Sequence, residues 1–469
     1  MKNIKFIYSK IILLSGLLFL FTVSCEREIS DEVEFATFAK TGEIFTDSPI
    51  GLGSDFYFPF GGSKPTAWTV DESEGYESAA SMRFDVPNAD DPEGGYAGAI
   101  FRVDGAGRDL TEFDALTFWA KASQGVSIGS MGFGIDFEED KYQVTQSNIS
   151  LSTNWVKYTI PIPDPFKLIE ERGMFWYSAG TQNTGGSGYT FWIDDLKFEK
   201  LGTIAQPRPK IYGGEDIEIQ TFVGTDGELE FPSVTFNLGS GQNVTVTAAH
   251  SYFDWTSSDS SIVNVAKEAG VLEALNPGEA VIIASSAGVQ AEGVLTVNVI
   301  GEFNFAPTPT RAPNNVISLF SDAYNNVPVD FFNGYWEPYQ TTESADFEIN
   351  EDNILSYTNF NFVGTQFQNP TIDATGNPNL HLNMFIPGDI PSNLDFLISI
   401  VNFGADDGTE NDRQQAFFNT SDFVTNTWST LEIPLSLTDR GEIGLIIYEN
   451  INGSTLSNFY LDNIYFYSE

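Results

Sequence analysis

The sequence predicts an all-β protein assembled from sandwich modules, and three observations predict it. Aromatic residues form 14% of the 469-residue chain, led by 40 Phe and 18 Tyr, which are strand formers. The 42 Gly and 22 Pro are spread along the chain and cut it into short segments. Apolar residues alternate with period two, as in Met131, Phe133, Ile135 and Phe137 with Gly132, Gly134 and Asp136 between them. A chain of this length exceeds one core. At roughly 150 residues per domain it divides into about three units.

Unit one spans 33–203, with strands expected at 81–84, 115–120, 131–137, 155–162 and 189–198 and a short helix at 166–172. Leu116, Phe118 and Ala120 are expected in the core, with Trp119 and Lys121 on the opposite face. Gln206-Pro207-Arg208-Pro209-Lys210 and Gly213-Gly214 read as a linker. Unit two spans 204–301, and Asn243-Val244-Thr245-Val246-Thr247 alternates as a strand should. Its short strands at regular spacing indicate a sandwich. Residues 302–313 carry Pro307, Pro309 and Pro313 among Thr, a stiff extended linker. Unit three spans 314–469, with strands expected at 316–320, 354–362, 380–386, 396–403, 428–435 and 459–467.

Units one and three echo each other. Trp155-Val156-Lys157-Tyr158-Thr159-Ile160-Pro161 parallels Trp428-Ser429-Thr430-Leu431-Glu432-Ile433-Pro434. Trp192-Ile193-Asp194-Asp195-Leu196-Lys197-Phe198 parallels Tyr460-Leu461-Asp462-Asn463-Ile464-Tyr465-Phe466. The same features in the same order imply one fold used twice, and Trp155 and Trp428 read as structural.

Several stretches carry family resemblances. Trp255-Thr256-Ser257-Ser258-Asp259, Val263-Asn264-Val265, Gly270-Val271-Leu272 and Leu275-Asn276-Pro277-Gly278 resemble the bacterial Ig-like group 2 domain, which implies an Ig-like spacer. The paired Trp and Asp strands resemble the jelly-roll carbohydrate-binding modules. Gly94-Gly95-Tyr96-Ala97-Gly98 and Leu116-Thr117-Phe118-Trp119-Ala120-Lys121 place unit one near families 4 and 11 of these. Unit three, through Val316-Ile317-Ser318-Leu319-Phe320-Ser321-Asp322-Ala323-Tyr324 and Asn361-Phe362-Val363-Gly364, resembles the module appended to family 16 laminarinase-like hydrolases of marine Bacteroidetes. The fold implied is two jelly-roll modules flanking an Ig-like sandwich.

The N-terminus reads as an export signal over 1–24: Lys2, Lys5 and Lys10, then an apolar run over 11–21 too short to span a bilayer. Thr22-Val23-Ser24-Cys25 resembles a bacterial lipobox, which implies acylation of Cys25, the single cysteine of the chain. The competing reading is an ordinary secretion signal. Acidic residues within 25–32 resemble the surface-export signal of Bacteroidetes lipoproteins. The assembly resembles surface glycan-binding proteins of polysaccharide utilisation loci. That implies a lipid anchor in the outer membrane facing outward, and a TonB-dependent glycan transporter as partner.

The net charge of −43 repels nucleic acid and disfavours a polyanionic ligand, so a neutral polysaccharide suits it. The same acidity also serves solubility. Two histidines, His250 and His381, fall in different units, and no phosphate loop or nucleophile elbow is present. A glycosidase dyad is not settled by counting acids, but every resemblance is to a non-catalytic module, so no enzyme is expected.

A sugar presents an apolar face and a rim of hydroxyls, so a site needs a ring with planar polar groups beside it. In unit three the ring-rich stretch 331–339 offers Tyr335, Trp336 and Tyr339 as a platform, or as a plug at the core edge. If Leu380, Leu382, Met384 and Ile386 point inward, His381, Asn383 and Phe385 share an outer face, for sugar or for solvent. In unit one Trp119, Tyr96, Trp68 and Trp176 are candidates, each alternatively a packing residue. Asp195 and Asp462 lie on last strands where the resembling families often ligate a structural Ca²⁺. Asp322 is the partner expected in unit three, and Asp55 and Glu77 in unit one; solvated carboxylates are the alternative. Together these readings give capture of a neutral glycan, with a β-1,3-glucan such as laminarin first. A structural or adhesive lipoprotein is the competing class.

Overall fold

A computed structural model describes residues 38–266, 268, 270–349, 352–403 and 410–469. The signal segment, Cys25 and the acidic tether lie outside them.

Unit one supplies β1 (Glu43–Phe45), β2 (Tyr57–Pro59), β3 (Trp68–Asp71), β4 (Ser81–Val86), β5 (Ala97–Arg102), β6 (Ala115–Ala122), β7 (Val126–Phe133), β8 (Val144–Leu151), β9 (Val156–Pro161), β10 (Gly173–Ala179) and β11 (Tyr189–Glu199). One sheet runs β3-β4-β11-β6-β9 with β1 on β11, and the other carries β8-β7-β10-β5-β2. Alternation fixes the inner faces: Leu116, Phe118 and Ala120 are buried, and Phe118 meets Phe175 of the facing sheet at 6.3 Å. Two expectations are corrected. The strand expected at 131–137 ends at Phe133, because Gly134 takes φ +82 and turns the chain. The helix expected at 166–172 is one 3₁₀ turn, Pro165–Lys167, capped by Asp164; Glu171 then pairs with Arg108 through two backbone hydrogen bonds.

Unit two supplies β12 (Arg208–Lys210), β13 (Asp216–Val223), β14 (Asp226–Glu228), β15 (Ser233–Asn237), β16 (Asn243–Ala248), β17 (Phe253–Ser257), β18 (Val263–Ala266), β19 (Val271–Ala274), β20 (Gly278–Ser286), β21 (Val289–Gln290) and β22 (Val294–Glu302). β13-β22-β20-β17, with β21 on β20, forms one sheet and β14-β19-β18 another. The remaining strands, β12-β15-β16, join unit one: Thr247 pairs with Thr145 and Ala248 with Val144, making one eight-stranded sheet. The residues expected as a linker thus include an edge strand, a position that tolerates Pro209. One apolar core runs through both units.

Unit three supplies β23 (Val316–Phe320), β24 (Phe331–Gly334), β25 (Glu343–Ile349), β26 (Asp352–Thr358), β27 (Phe362–Gln366), β28 (Asn379–Phe385), β29 (Asp395–Phe403), β30 (Glu410–Asn419), β31 (Trp428–Pro434), β32 (Ile443–Asn450) and β33 (Phe459–Tyr467). Its sheets are β25-β26-β33-β28-β31, with β23 on β33, and β24-β27-β32-β29-β30. Leu380, Leu382 and Met384 enter the core between them. The outer side of β28 is buried too. Phe222 of unit two and Phe303 of the following linker pack on Phe385, Trp428 and Tyr460, so this face is an interdomain contact.

Candidate functional site

The outer face of the β8-β7-β10-β5-β2 sheet is built from small residues bordered by rings. Residues directly opposite each other share a face, and two rows cross the strands. One is Phe58, Ile100, Trp176, Gly132 and Thr145. The other is Gly98, Ser178, Ser130 and Ser147. Trp176 lies across Gly132, where a Cβ would sit 1.8 Å from Val144 O and 2.7 Å from Trp176 Nε1. The indole N–H donates to Val144 O at 3.2 Å. Gly98 is equally tight: a Cβ there would meet the rings of Tyr96 at 2.8 Å and Phe60 at 3.0 Å.

The result is a trough whose open floor is the row of Ser130, Ser147 and Ser178, while Ile100 and Trp176 of the first row lie covered by the Phe58 and Phe60 rings. Trp176 is only 6% exposed, so it packs beneath the floor, the alternative its sequence context left open, and does not border the groove. The walls are Phe60 and Phe137, 5.7 Å apart and edge to face, with Tyr96 held by its hydroxyl donating to Gly61 O at 3.0 Å. Phe137 is 49% exposed because the chain turns at Gly134. At one end the Arg102 guanidinium lies 4.3 Å over Phe58 and donates to Asp136 O at 2.6 Å. No Asp or Glu occurs in these five strands, although the chain holds 65.

Tyr96 and Trp176 thus come together, and Trp68 and Trp119 do not join them. Trp68 packs edge-on to Phe101 at 5.2 Å, at the margin of the core. Trp119 is on the opposite sheet, stacked 3.7 Å from Tyr76. Phe58, Phe60, Phe137, Ser130, Ser147 and Ser178 were missed from sequence; the signal for them was a run of strands without acids.

Unit three repeats the device. Trp336 lies over Gly364, where a Cβ would sit 2.2 Å from its ring, and stacks on Phe362 at 5.9 Å. Tyr335 and Tyr339 are 58% and 75% exposed beside it. The row through Gly364 continues to Ile447, Ser399 and Gln415, and the row through Phe362 to Glu449, Leu397 and Phe417. The stretch expected as a platform therefore borders a sheet face. The second expected face is corrected. His381, Asn383 and Phe385 are buried. His381 stacks on Tyr465 at 4.4 Å and bonds Glu432 at 2.8 Å, and Asn383 bonds Thr430 and Asn463 at 3.0 Å. The reason is the chain over 303–311, whose carbonyls at Asn304 and Pro307 accept from Trp428 and Asn463.

The metal candidates separate in the same way. In unit one a bulge at Asp195, φ +48, turns Asp194 inward; it accepts from Tyr76 N and Ser78 Oγ at 2.7 Å. Asp195 pairs with Lys197 at 3.0 Å, Asp55 is exposed, and Glu77 lines a small cavity with Asp194 and Asp195. In unit three a cavity of about 210 Å³ is lined by Asp322, Asp352 and Asp462. Burial pushes Asp462 up to about 7, with Asp352 and Asp322 adding to it. Asp352 Oδ2 is buried without a partner, and Asp322 is held by Asn353 at 2.8 and 3.0 Å. Among the described residues no three acidic, His or Cys side chains converge tightly enough to hold a metal alone. A cation at Asp462 would need chain carbonyls or water as well. No helix among the described residues is long and apolar enough to cross a membrane.

Residues 43–200 match the family model of carbohydrate binding domain 30. The match ends where β11 ends and contains the whole trough, and it supports carbohydrate binding by this module. Among solved structures, a family 30 carbohydrate-binding module from a cellulosomal cellulase of Clostridium thermocellum is 18% identical. It covers 34% of this chain and 96% of its own, with a TM-score of 0.24. A family 11 module from Clostridium thermocellum, in complex with a β-1,3-1,4-mixed-linked tetrasaccharide, is 14% identical. It covers 33% of this chain and 96% of its own, with a TM-score of 0.24. A tandem of family 22 modules from Paenibacillus barcinonensis is 10% identical, covering 92% of this chain and all of its own, with a TM-score of 0.22. No curated protein matches the chain.

Proposed function

We propose that the protein binds a neutral polysaccharide without cleaving it, in the trough of the carbohydrate-binding module. The carrying observation is the Gly98, Ser178, Ser130 and Ser147 row, with Trp176 packed beneath the floor over Gly132 and with walls of Phe60, Tyr96 and Phe137. Rings take the apolar face of a sugar, and the serines and threonine exchange hydrogen bonds with its hydroxyls. The absence of carboxylates from five strands of so acidic a chain leaves none on the strands to desolvate, and Glu138 at the Arg102 end is paired with Arg102 and Arg172.

A β-1,3-glucan such as laminarin is the ligand proposed first, on the resemblance of unit three to laminarinase-appended modules. Tyr335, Trp336 and Tyr339 offer that unit a second contact, and two contacts on one polymer raise avidity. Anchoring through Cys25 in the outer membrane, facing outward beside a TonB-dependent transporter, rests on the lipobox resemblance. A Ca²⁺ ion held by Asp322 and Asp462, with Asp352, has the partnerless Asp352 oxygen in its favour. It would brace the β23 and β26 ends against β33 and take no part in a reaction.

Affinity electrophoresis of the chain from residue 26 onward, in gels containing laminarin, mixed-linkage glucan, mannan, xylan or alginate, tests the reading. Retardation by a neutral glucan is expected. Retardation by alginate alone, or by none, would overturn it and favour the adhesive reading.

A further inference from the structure

We infer that unit two is part of the glycan-binding surface and not a spacer: β16, β15 and β12 prolong the trough as a polar ladder for a long polymer. This rests on the trough of unit one being the binding site. The row through Trp176, Gly132 and Thr145 does not stop at the edge of unit one. Thr145 is opposite Thr247, Thr247 opposite Ser233, and Ser233 opposite Lys210, so all six share one face. The other faces of β15 and β16 carry Val234, Phe236, Val244 and Val246, all buried, which fixes the outward set by alternation.

The outward set is suited to sugar hydroxyls. Thr235 and Thr245 face each other with Oγ1 atoms 2.8 Å apart. Asn237 donates to Asn243 at 3.1 Å, and Arg208 donates to the same Asn243 oxygen at 3.0 Å. Each of these groups keeps unused donors or acceptors. The charge pattern continues as well. The three strands hold no Asp or Glu, whereas unit two's other sheets carry Asp216, Glu218, Asp226, Glu228, Glu273 and Glu279. No strand of this eight-stranded sheet carries an Asp or Glu, in a chain of net charge −43; at its far end Lys210 pairs with Glu292 at 2.8 Å. At a strand spacing of 4.7–4.9 Å, the face grows from about 19 Å for five strands to about 33 Å for eight. That is room for several more sugar units.

The test is titration calorimetry of the full chain with laminaritriose and with polymeric laminarin. Asn243→Ala combined with Thr245→Ala removes exposed groups only, and Thr235→Asp places a carboxylate on the strip. Both are expected to weaken polymeric laminarin about fivefold or more and to leave laminaritriose unchanged. Unchanged polymer affinity in both variants, with melting temperatures intact, would overturn the extension while leaving the trough standing. A wild-type chain that binds neither probe and no other neutral glucan in the electrophoresis panel would overturn both readings together.

Discussion

Trp176 and Gly132 stand in a contact that admits no side chain at position 132: a Cβ there would lie 2.7 Å from the indole nitrogen and 1.8 Å from Val144 O. Backbone is the obstacle, so the strand itself must shift. Gly132→Ala is expected to cost about 1–3 kcal/mol of stability, as overpacking does, and to displace the indole from beneath the floor. Urea unfolding and glycan titration of this variant would show both losses. Unchanged stability would mean that β7 and β8 slide apart freely.

The contact between units two and three gives a second prediction. Phe303 packs on Phe222 at 4.8 Å, Phe385 at 5.9 Å and Trp428 at 6.0 Å. Phe303→Ala is expected to remove about 3–5 kcal/mol from this contact. Calorimetry should then show unit three melting apart from the rest. A single transition shifted by less than a degree would contradict the account.

Glu171 supplies a pH dependence. Burial pushes its carboxyl up to about 8 from the ordinary 4.5, with Asp136 and Asp140 adding to it. The folded protein keeps it protonated while the unfolded chain ionises it above about 4.5. Its stabilising contribution is therefore whole below that value and is lost as pH rises through about 8. Unfolding free energies should fall over that window by about 5 kcal/mol more in the wild type than in Glu171→Gln, as denaturant titrations would read. Parallel pH profiles for the two proteins would contradict the assignment.

Calcium gives a fourth. Saturating Ca²⁺ is expected to raise the melting temperature by about 5 °C and EDTA to reverse it. Asp462→Asn should abolish the response. No response in the wild type would remove the proposed ion.

How far the sequence reached can be read from single strands. On β6 and β28 the alternation named the core residues correctly, Leu116, Phe118 and Ala120 in one and Leu380, Leu382 and Met384 in the other. It also placed His381, Asn383 and Phe385 on the opposite side. Periodicity assigns faces but not what covers them, and Phe222 lies far away in sequence. The last-strand aspartates show a second limit: bulges at Asp195 and Asn463, both at positive φ, shift parity by one residue. Asp194 is turned inward where Asp195 was expected. The trough was half legible. Tyr96 and Trp176 sit in recognisable contexts, but Phe137 reaches the rim only because Gly134 ends its strand. Phe58 and Phe60 are placed by pairing with β5, which no local pattern reveals.

The most direct test of the central claim is affinity electrophoresis of Phe60→Ala combined with Phe137→Ala against the wild type in laminarin gels. Both rings are wall residues, so the fold should stand. The account predicts that retardation weakens about tenfold while the melting temperature holds. Undiminished retardation by the variant would place the glycan elsewhere and contradict the trough as its site.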